Sequence, residues 1–221
     1  MTTTAVAFDM FGTLADPAGA AEALGAVTDE PEALAGAWRR HQLEISWLLT
    51  VMDRYQDWSA VSAYALEVAL DERGLAMTGD QQDRVLGAAP VLFPDVADAL
   101  DRLAAAGFEL AVFSNGAPAA LAAIVADTGI AHRFTTLISV DEVGAFKPAP
   151  SVYHHAAARL GRAPGDVWLV SGNPFDCAGA KAAGLRVAKV DRRPSFSYPF
   201  APPPDLVVTG LGALAAQLPA A

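Results

Sequence analysis

The chain opens on an apolar run, Ala5-Val6-Ala7-Phe8, that stops at Asp9 and continues as Met10-Phe11-Gly12-Thr13-Leu14. Unbroken apolar character over so short a span predicts a strand buried on both faces. The pattern then changes. From about Asp16 to Ala89 no strand-like alternation occurs, and apolar residues recur near helical spacing at Leu34, Trp38, Ile45, Leu48 and Leu49. Thr28-Asp29-Glu30-Pro31-Glu32 reads as a helix start, with proline and acidic residues at its front. A second helix is expected from Trp58 to Arg73, stopped at Gly74, and a third near Thr78-Gly79-Asp80. From Phe93-Pro94 onward helix and strand alternate. Helices are expected over 94–106, 117–128, 150–160 and 174–183, with strands over 109–113, 136–140, 167–170, 186–190 and 206–208. Ser195 to Pro204 is proline-rich and reads as a loop, and a terminal helix closes the chain. Regular βα alternation predicts an α/β core with a parallel sheet and right-handed crossovers. The helical block reads as a cap inserted after the first strand. The expected division is a core of residues 1–14 plus 93–221 and a cap of residues 15–92.

Composition narrows the partners. A length of 221 residues suits one domain with a large insertion or two small domains. With 53% hydrophobic residues a sizeable core is available. A formal net charge of −10 argues against nucleic acid or an anionic membrane as partner, so an anionic substrate would need local positive charge in its pocket. Cys177 is the single cysteine, which excludes an intrachain disulfide and fits a reducing compartment. The start has no basic region, and Asp9 interrupts the apolar stretch after it, so neither a signal peptide nor a membrane span is expected. A cytoplasmic location follows as the expectation. The four histidines, His41, His132, His154 and His155, are scattered, and no metal site is expected from them.

Polar groups fall where chemistry is expected. In an open parallel sheet, reacting groups sit at the carboxyl ends of strands. Asp9 and Thr13, Ser114 and Asn115, and Ser171, Asn173 and Asp176 all follow predicted strands, and Lys147 lies in a loop. Asp9 alone reads equally as a nucleophile or as a turn cap. Ser and Asn after a strand commonly cap the next helix, and a lysine before proline is commonly solvated. Their recurrence at the same kind of place favours one convergent site.

Phe8-Asp9-Met10-Phe11-Gly12-Thr13-Leu14 resembles the first motif of the haloacid dehalogenase superfamily, whose Rossmann-like core uses this Asp as a nucleophile. Most members are phosphatases with a second Asp two residues later, the general acid for a leaving alkoxide. Here that position is Phe11, which cannot donate a proton, whereas a halide needs none. The resemblance covers the whole chain and narrows to the (S)-2-haloacid dehalogenase branch. Trp38-Arg39-Arg40-His41-Gln42-Leu43-Glu44 is similar to its cap signature, Ser114-Asn115-Gly116-Ala117-Pro118 to its second motif, Phe146-Lys147-Pro148 with Tyr153 to its third, and Ser171-Gly172-Asn173-Pro174-Phe175-Asp176 to its fourth.

The resemblance implies hydrolytic dehalogenation of a short (S)-2-haloacid to the (R)-2-hydroxyacid through an ester on Asp9. In-line attack at C2 depends on positioning, and the departing halide needs donors and a cation in a dry pocket. Arg39, Asn115 and the ring edge of Phe175 would receive the halide. Backbone N–H groups and the hydroxyls of Thr13 and Ser114 would hold the substrate carboxylate. Lys147 would keep Asp9 ionised and oriented. Asp176 and Asn173 would position or activate the hydrolytic water, with the base unassigned, and Ser171 belongs to the same motif. Tyr153 reads as part of this network or as a core tyrosine. Gln42, Leu43, Trp58 and Phe11 read as an apolar wall or as ordinary packing, and Met10 as a further substrate contact. No cofactor and no metal are expected: the first motif offers only Asp9, and Asn173 stands where phosphatase relatives carry an acid. The partners are a small haloacid and water, and a homodimer is compatible with the branch. Gly172, Ala15 and Phe11 depart from the branch pattern, where a second Ser and aromatic residues are usual. The rivals are a Mg²⁺-dependent phosphatase, a hydrolase acting on another C2 leaving group, and a binding protein that has kept the fold.

Overall fold

The computed structural model describes residues 4–16, 19–192 and 195–218. The ends of the expected core, 1–3 and 219–221, lie outside the described residues. In chain order the elements are β1 (Ala5–Phe8), a two-residue β2 (Ala15–Asp16), four helices α1 (Gly19–Leu24), α2 (Pro31–Val51), α3 (Trp58–Asp71) and α4 (Gly79–Leu86), and a two-residue β3 (Val91–Leu92). Then come α5 (Val96–Ala105), β4 (Glu109–Ser114), α6 (Pro118–Asp127), β5 (Thr136–Ser139), α7 (Pro150–Arg159), β6 (Val167–Ser171), α8 (Pro174–Ala182), β7 (Arg186–Val190), β8 (Leu206–Val208) and α9 (Leu211–Gln217). The chain falls into two compact units. One runs up to Ala15 and resumes at Leu92, and the other spans Asp16–Val91.

The first unit is a six-stranded sheet in the order β5-β4-β1-β6-β7-β8, parallel throughout. β1 is central, and all four of its residues are buried. Its register pairs Phe8 with Val112 on one side and Val170 on the other. This places Asp9 beside the ends of β4 and β6. One apolar layer joins Val6, Phe8, Val112 and Val170 to Leu100 and Leu103 of α5 and Leu211 and Leu214 of α9. The parallel α/β core is therefore as the alternating pattern predicts.

The second unit is helical. Pro31 opens α2, the Asp57 side chain accepts from Ser59 and Ala60 N–H at the start of α3, and Thr78 and Gln81 form a reciprocal capping box on α4. Leu24, Leu34, Trp38, Leu66 and Val85 pack together as its core.

Three boundaries differ from the sequence expectation. α1 adds a six-residue helix to the expected three. α5 begins at Val96 rather than at residue 94, and the Asp95 carboxylate does not cap it. It accepts from Leu211 N at 2.8 Å instead. Val140 leaves the β5 strand and starts a 3₁₀ turn, capped by the Ser139 hydroxyl.

Candidate active site

Asp9 follows β1 directly, and its N–H donates to Val170 O at 3.0 Å. Its side chain is only 10% exposed. Oδ1 accepts from Lys147 Nζ at 3.1 Å, and Oδ2 accepts from Thr13 Oγ1 at 3.1 Å and from Asn173 Nδ2 at 2.7 Å. A carboxylate so supplied with donors is fixed in orientation.

The turn after Asp9 supplies the first of these donors. Met10 O accepts from Leu14 and Ala15 N–H, both at 2.9 Å, and Gly12 takes φ +84°, a left-handed conformation that a side chain resists. Thr13 is thereby brought back under Asp9. Its hydroxyl donates to Asp9 and accepts from Gly172 N–H at 2.9 Å. Its one proton is committed to Asp9, which corrects the expectation that Thr13 would donate to a substrate carboxylate. The Met10 side chain is fully buried in the sheet core, which leaves its backbone as the part that can face a ligand. Among the described residues no acceptor meets the N–H of Met10 or Phe11. The Phe11 ring is partly buried against the same core.

Lys147 closes the cluster. Its own N–H donates to Asn115 Oδ1 at 3.1 Å. Its buried ammonium donates to Asp9 Oδ1, to Asp176 Oδ2 at 3.0 Å and to Phe113 O at 2.9 Å, and sits 4.1 Å from the Phe113 ring centroid. Three donors meet three acceptors. Burial alone would push the Lys147 pKa down, but the charges of Asp176 and Asp9 outweigh it and the net direction is up. Asp176 is fully buried, and Tyr153 OH donates to its Oδ1 at 2.8 Å. Burial raises the Asp176 pKa, Lys147 opposes this, and repulsion from Asp9 adds to the rise. Burial, then the Asp176 charge, hold Tyr153 well above the ordinary phenol value, so it is a neutral donor. Tyr153 thus belongs to the polar network and also packs edge-on against Phe113.

The remaining strand-end groups divide. Ser114 Oγ accepts from Gly116 N–H at 3.2 Å, which leaves its proton as a donor. Asn115 Nδ2 has no acceptor among the described residues. Ser171 Oγ accepts from Asn173 N–H at 3.1 Å and so shapes the turn that carries Asn173. Asn173 Nδ2 donates to Asp9 Oδ2 and to Phe11 O at 2.8 Å. Both are acceptors, which fixes the orientation of the amide and leaves Oδ1 as an acceptor. Phe175 is buried at the start of α8.

Within the helical unit, Arg39 Nη1 donates to Gln42 Oε1 at 3.3 Å, and the guanidinium carbon lies 5.8 Å from the Trp58 ring centroid. Gln42 Nε2 donates to Ser62 Oγ at 2.8 Å, and Trp38 Nε1 donates to Ser62 O at 2.9 Å. Leu43 is half-buried beside them. Gln42 therefore acts through its amide, in addition to any apolar contact. Asp9, Thr13, Ser114, Asn115, Lys147, Tyr153, Ser171, Asn173 and Asp176 gather in one unit, and Arg39, Gln42 and Trp58 gather in the other.

Sequence reasoning missed Ser62, Lys189 and Arg192. The buried Lys189 ammonium is held by Ser195 O at 2.9 Å and Phe196 O at 3.1 Å, and Arg192 Nη2 donates to Thr13 O at 3.1 Å. Their partners are mostly backbone carbonyls, which leave no side-chain pattern to read. Among the described residues no group of three or more His, Cys, Asp or Glu could hold a metal ion.

A parallel α/β core with an aspartate at the end of its central strand, facing a lysine and a second carboxylate, defines a hydrolase class. The family model described as haloacid dehalogenase-like hydrolase matches residues 3–184. The chain belongs to that family. (S)-2-Haloacid dehalogenase 1 of Pseudomonas sp. (strain CBS-3) is 37% identical over 206 residues, covering 90% of this chain and 89% of that protein. The (S)-2-haloacid dehalogenase of Xanthobacter autotrophicus is 39% identical over 193 residues, covering 85% and 75%. Among solved structures, L-2-haloacid dehalogenase from Xanthobacter autotrophicus with chloropropionic acid covalently bound superposes with a TM-score of 0.92 at 34% identity, covering 98% of each chain.

Proposed function

We propose that the protein hydrolyses short (S)-2-haloacids to (R)-2-hydroxyacids through an ester on Asp9. The observation that carries this reading is the Asp9 carboxylate itself, held by Lys147, Thr13 and Asn173. No second acid follows two positions later, since Phe11 stands there. An Asp9 oxygen attacks C2 from the face opposite the halogen. The carbon–halogen bond breaks with its electron pair, the halide leaves and C2 inverts. Water then attacks the Asp9 ester carbonyl, releasing the hydroxyacid and one proton and restoring the carboxylate. The relatives named for (S)-2-haloacids support the substrate class, and the covalently bound chloropropionic acid in a relative supports a covalent route.

In this reading the Ser114 hydroxyl and the N–H groups of Met10 and Phe11 hold the substrate carboxylate. Arg39, Asn115 Nδ2 and the edge of Phe175 receive the halide. Residues 16–91 are read as the cap, with Arg39, Gln42, Leu43 and Trp58 as its contribution to substrate and halide binding. The free Oδ1 of Asn173, together with Asp176, positions the water. Lys147 already puts a positive charge 3.1 and 3.0 Å from Asp9 and Asp176 oxygens, and Asn173 offers Asp9 Oδ2 and Phe11 O an amide N–H where a magnesium site would need a further acid. This supports metal-independent catalysis over the phosphatase rival. In this reading the enzyme works in the cytoplasm, a reducing compartment that a buried lone cysteine suits. No helix among the described residues is long and apolar enough to cross a membrane. Nucleic acid and membrane play no part in this reading, and a homodimer fits it.

A single turnover in ¹⁸O-water tests the proposal. The first hydroxyacid released is expected to be unlabelled, with the label in the Asp9 carboxylate. Label in the first product sinks the ester. Chloride release from (S)-2-chloropropionate, measured beside phosphate release from p-nitrophenyl phosphate, separates this function from the phosphatase rival.

A further inference from the structure

Arg192 lies just beyond β7, outside every motif that carries the family resemblance. Its guanidinium is fixed on three sides. Nη2 donates to Thr13 O at 3.1 Å. Nη1 lies 2.8 Å from Asp95 Oδ1 in an off-line geometry, a charge contact rather than a hydrogen bond. Its carbon stacks 4.0 Å from the centroid of the Phe93 ring. Asp95 is itself anchored, since Oδ2 accepts from Leu211 N–H at 2.8 Å.

Thr13 is the node. Its hydroxyl spans Asp9 Oδ2 and Gly172 N–H, and its carbonyl accepts from Arg192. Among the described residues Arg192 is the only donor to that carbonyl. The preceding residue is Gly12 in the left-handed region, held by its own N–H to Ala15 O at 2.7 Å. Without the guanidinium the Thr13–Leu14 peptide keeps only the Leu14 N–H bond to Met10 O, and the hydroxyl that fixes one Asp9 oxygen shifts as that peptide tilts. Asp95 and Phe93 hold Arg192 in place, so the turn after β1 is braced by the segment that starts α5.

We propose that Arg192 is a positioning residue for the attack of Asp9, acting through the Thr13 peptide. The proposal rests on the dehalogenase reading. Misplacing a reacting group by a fraction of an ångström slows the chemical step more than it weakens binding.

The test is first-turnover chloride release from (S)-2-chloropropionate, which reports ester formation, with steady-state KM and the melting temperature measured alongside. Arg192→Gln is expected to slow first-turnover release about tenfold with KM within about twofold. In a Thr13→Val background, followed over long single turnovers, the same change is expected to add less than about twofold, because residues acting as a unit are non-additive. Arg192→Lys keeps charge but cannot meet Thr13 O and Asp95 together, and is expected to fall between wild type and Arg192→Gln. It carries the same readings if Arg192→Gln fails to fold. A wild-type release rate with a lowered melting temperature overturns the proposal and leaves Arg192 a strut. Losses that multiply in the double variant overturn it too. No chloride from the wild-type enzyme overturns the dehalogenase reading instead.

Discussion

Gly172 meets Gly12 at a distance that excludes any side chain: a Cβ on Gly172 would lie 2.3 Å from the Gly12 carbonyl oxygen and 3.2 Å from that of Val190. The resemblance leads one to expect serine there, and at these distances a serine would have to push the turn after β6 away from the turn after β1. The same residue donates its N–H to Thr13. Gly172→Ser is expected to lower stability by about 1–3 kcal/mol, the usual cost of overpacking a rigid contact, and to reduce kcat as Thr13 is displaced. Denaturant midpoints and halide release check this. Unchanged stability and rate would mean that the two turns separate at no cost.

Lys147→Met leaves Asp9 and Asp176 buried without their cation. It is expected to abolish halide release and to cost about 3 kcal/mol at neutral pH, since breaking a buried pair strands charge. The pH dependence has a definite sign. Asp176 already has a raised pKa, and the variant removes the lysine that opposes the rise, so its folded state holds a proton more tightly than the unfolded chain does. The deficit therefore shrinks as pH falls. On the alkaline side, the raised Lys147 pKa gives the wild type a contribution that is complete below the unfolded value of 10.5 and lost as pH rises through the folded one. The variant lacks that fall. Urea melts across pH measure both limbs.

Most of the core was legible because its central strands are unbroken apolar runs, and each ends in a polar group that the parallel register sets side by side. Asp9, Ser114 and Ser171 were readable from that alone. Arg39 was legible only through family resemblance, and Lys147 gained its role from it, because no periodicity distinguishes a working cation from a solvated one. α1 was missed because six residues carry too little pattern. The start of α5 was misplaced because Asp95 serves a distant helix and Arg192 rather than its own. Arg192 itself was invisible: its partners, Thr13 and Asp95, are remote in the chain, and one of them is a carbonyl that every residue has.

Arg39→Lys keeps the charge but loses the planar fork that reaches Gln42 and stacks near Trp58. A fall in kcat of about a hundredfold is expected, the scale of losing one charge-stabilising donor. Ser62→Ala frees the Gln42 amide without touching Arg39, and is expected to cost only about twofold to fivefold in kcat. Chloride and bromide release rates separate the two. Equal losses would mean that Ser62 matters through the fold of the helical unit, and wild-type rates in both Arg39→Lys and Arg39→Ala would move the halide role to Arg40.

Halide release is expected to be unchanged in excess EDTA and indifferent to added Mg²⁺. Asp9 and Asp176 share one lysine, and Asn173 donates to Asp9 rather than offering a third carboxylate. A monoanionic haloacid also has less charge to neutralise than a phosphoryl group. Activity lost on chelation and restored by Mg²⁺ would promote the phosphatase reading.

The central place of β1 has a consequence for the chain as it is made. Ribosomes deliver this strand before the other five of its sheet, and both neighbours, β4 and β6, come after the entire helical unit. Asp9 waits 138 residues for Lys147 and 164 for Asn173. The helices of residues 16–91 pack through nearby contacts and can form meanwhile, whereas Ala5–Phe8 has two unpaired edges and no apolar side chain covered. A nascent chain halted before Glu109 thus leaves Ala5–Phe8 without either neighbouring strand, and that interval is where general chaperones would have most to do.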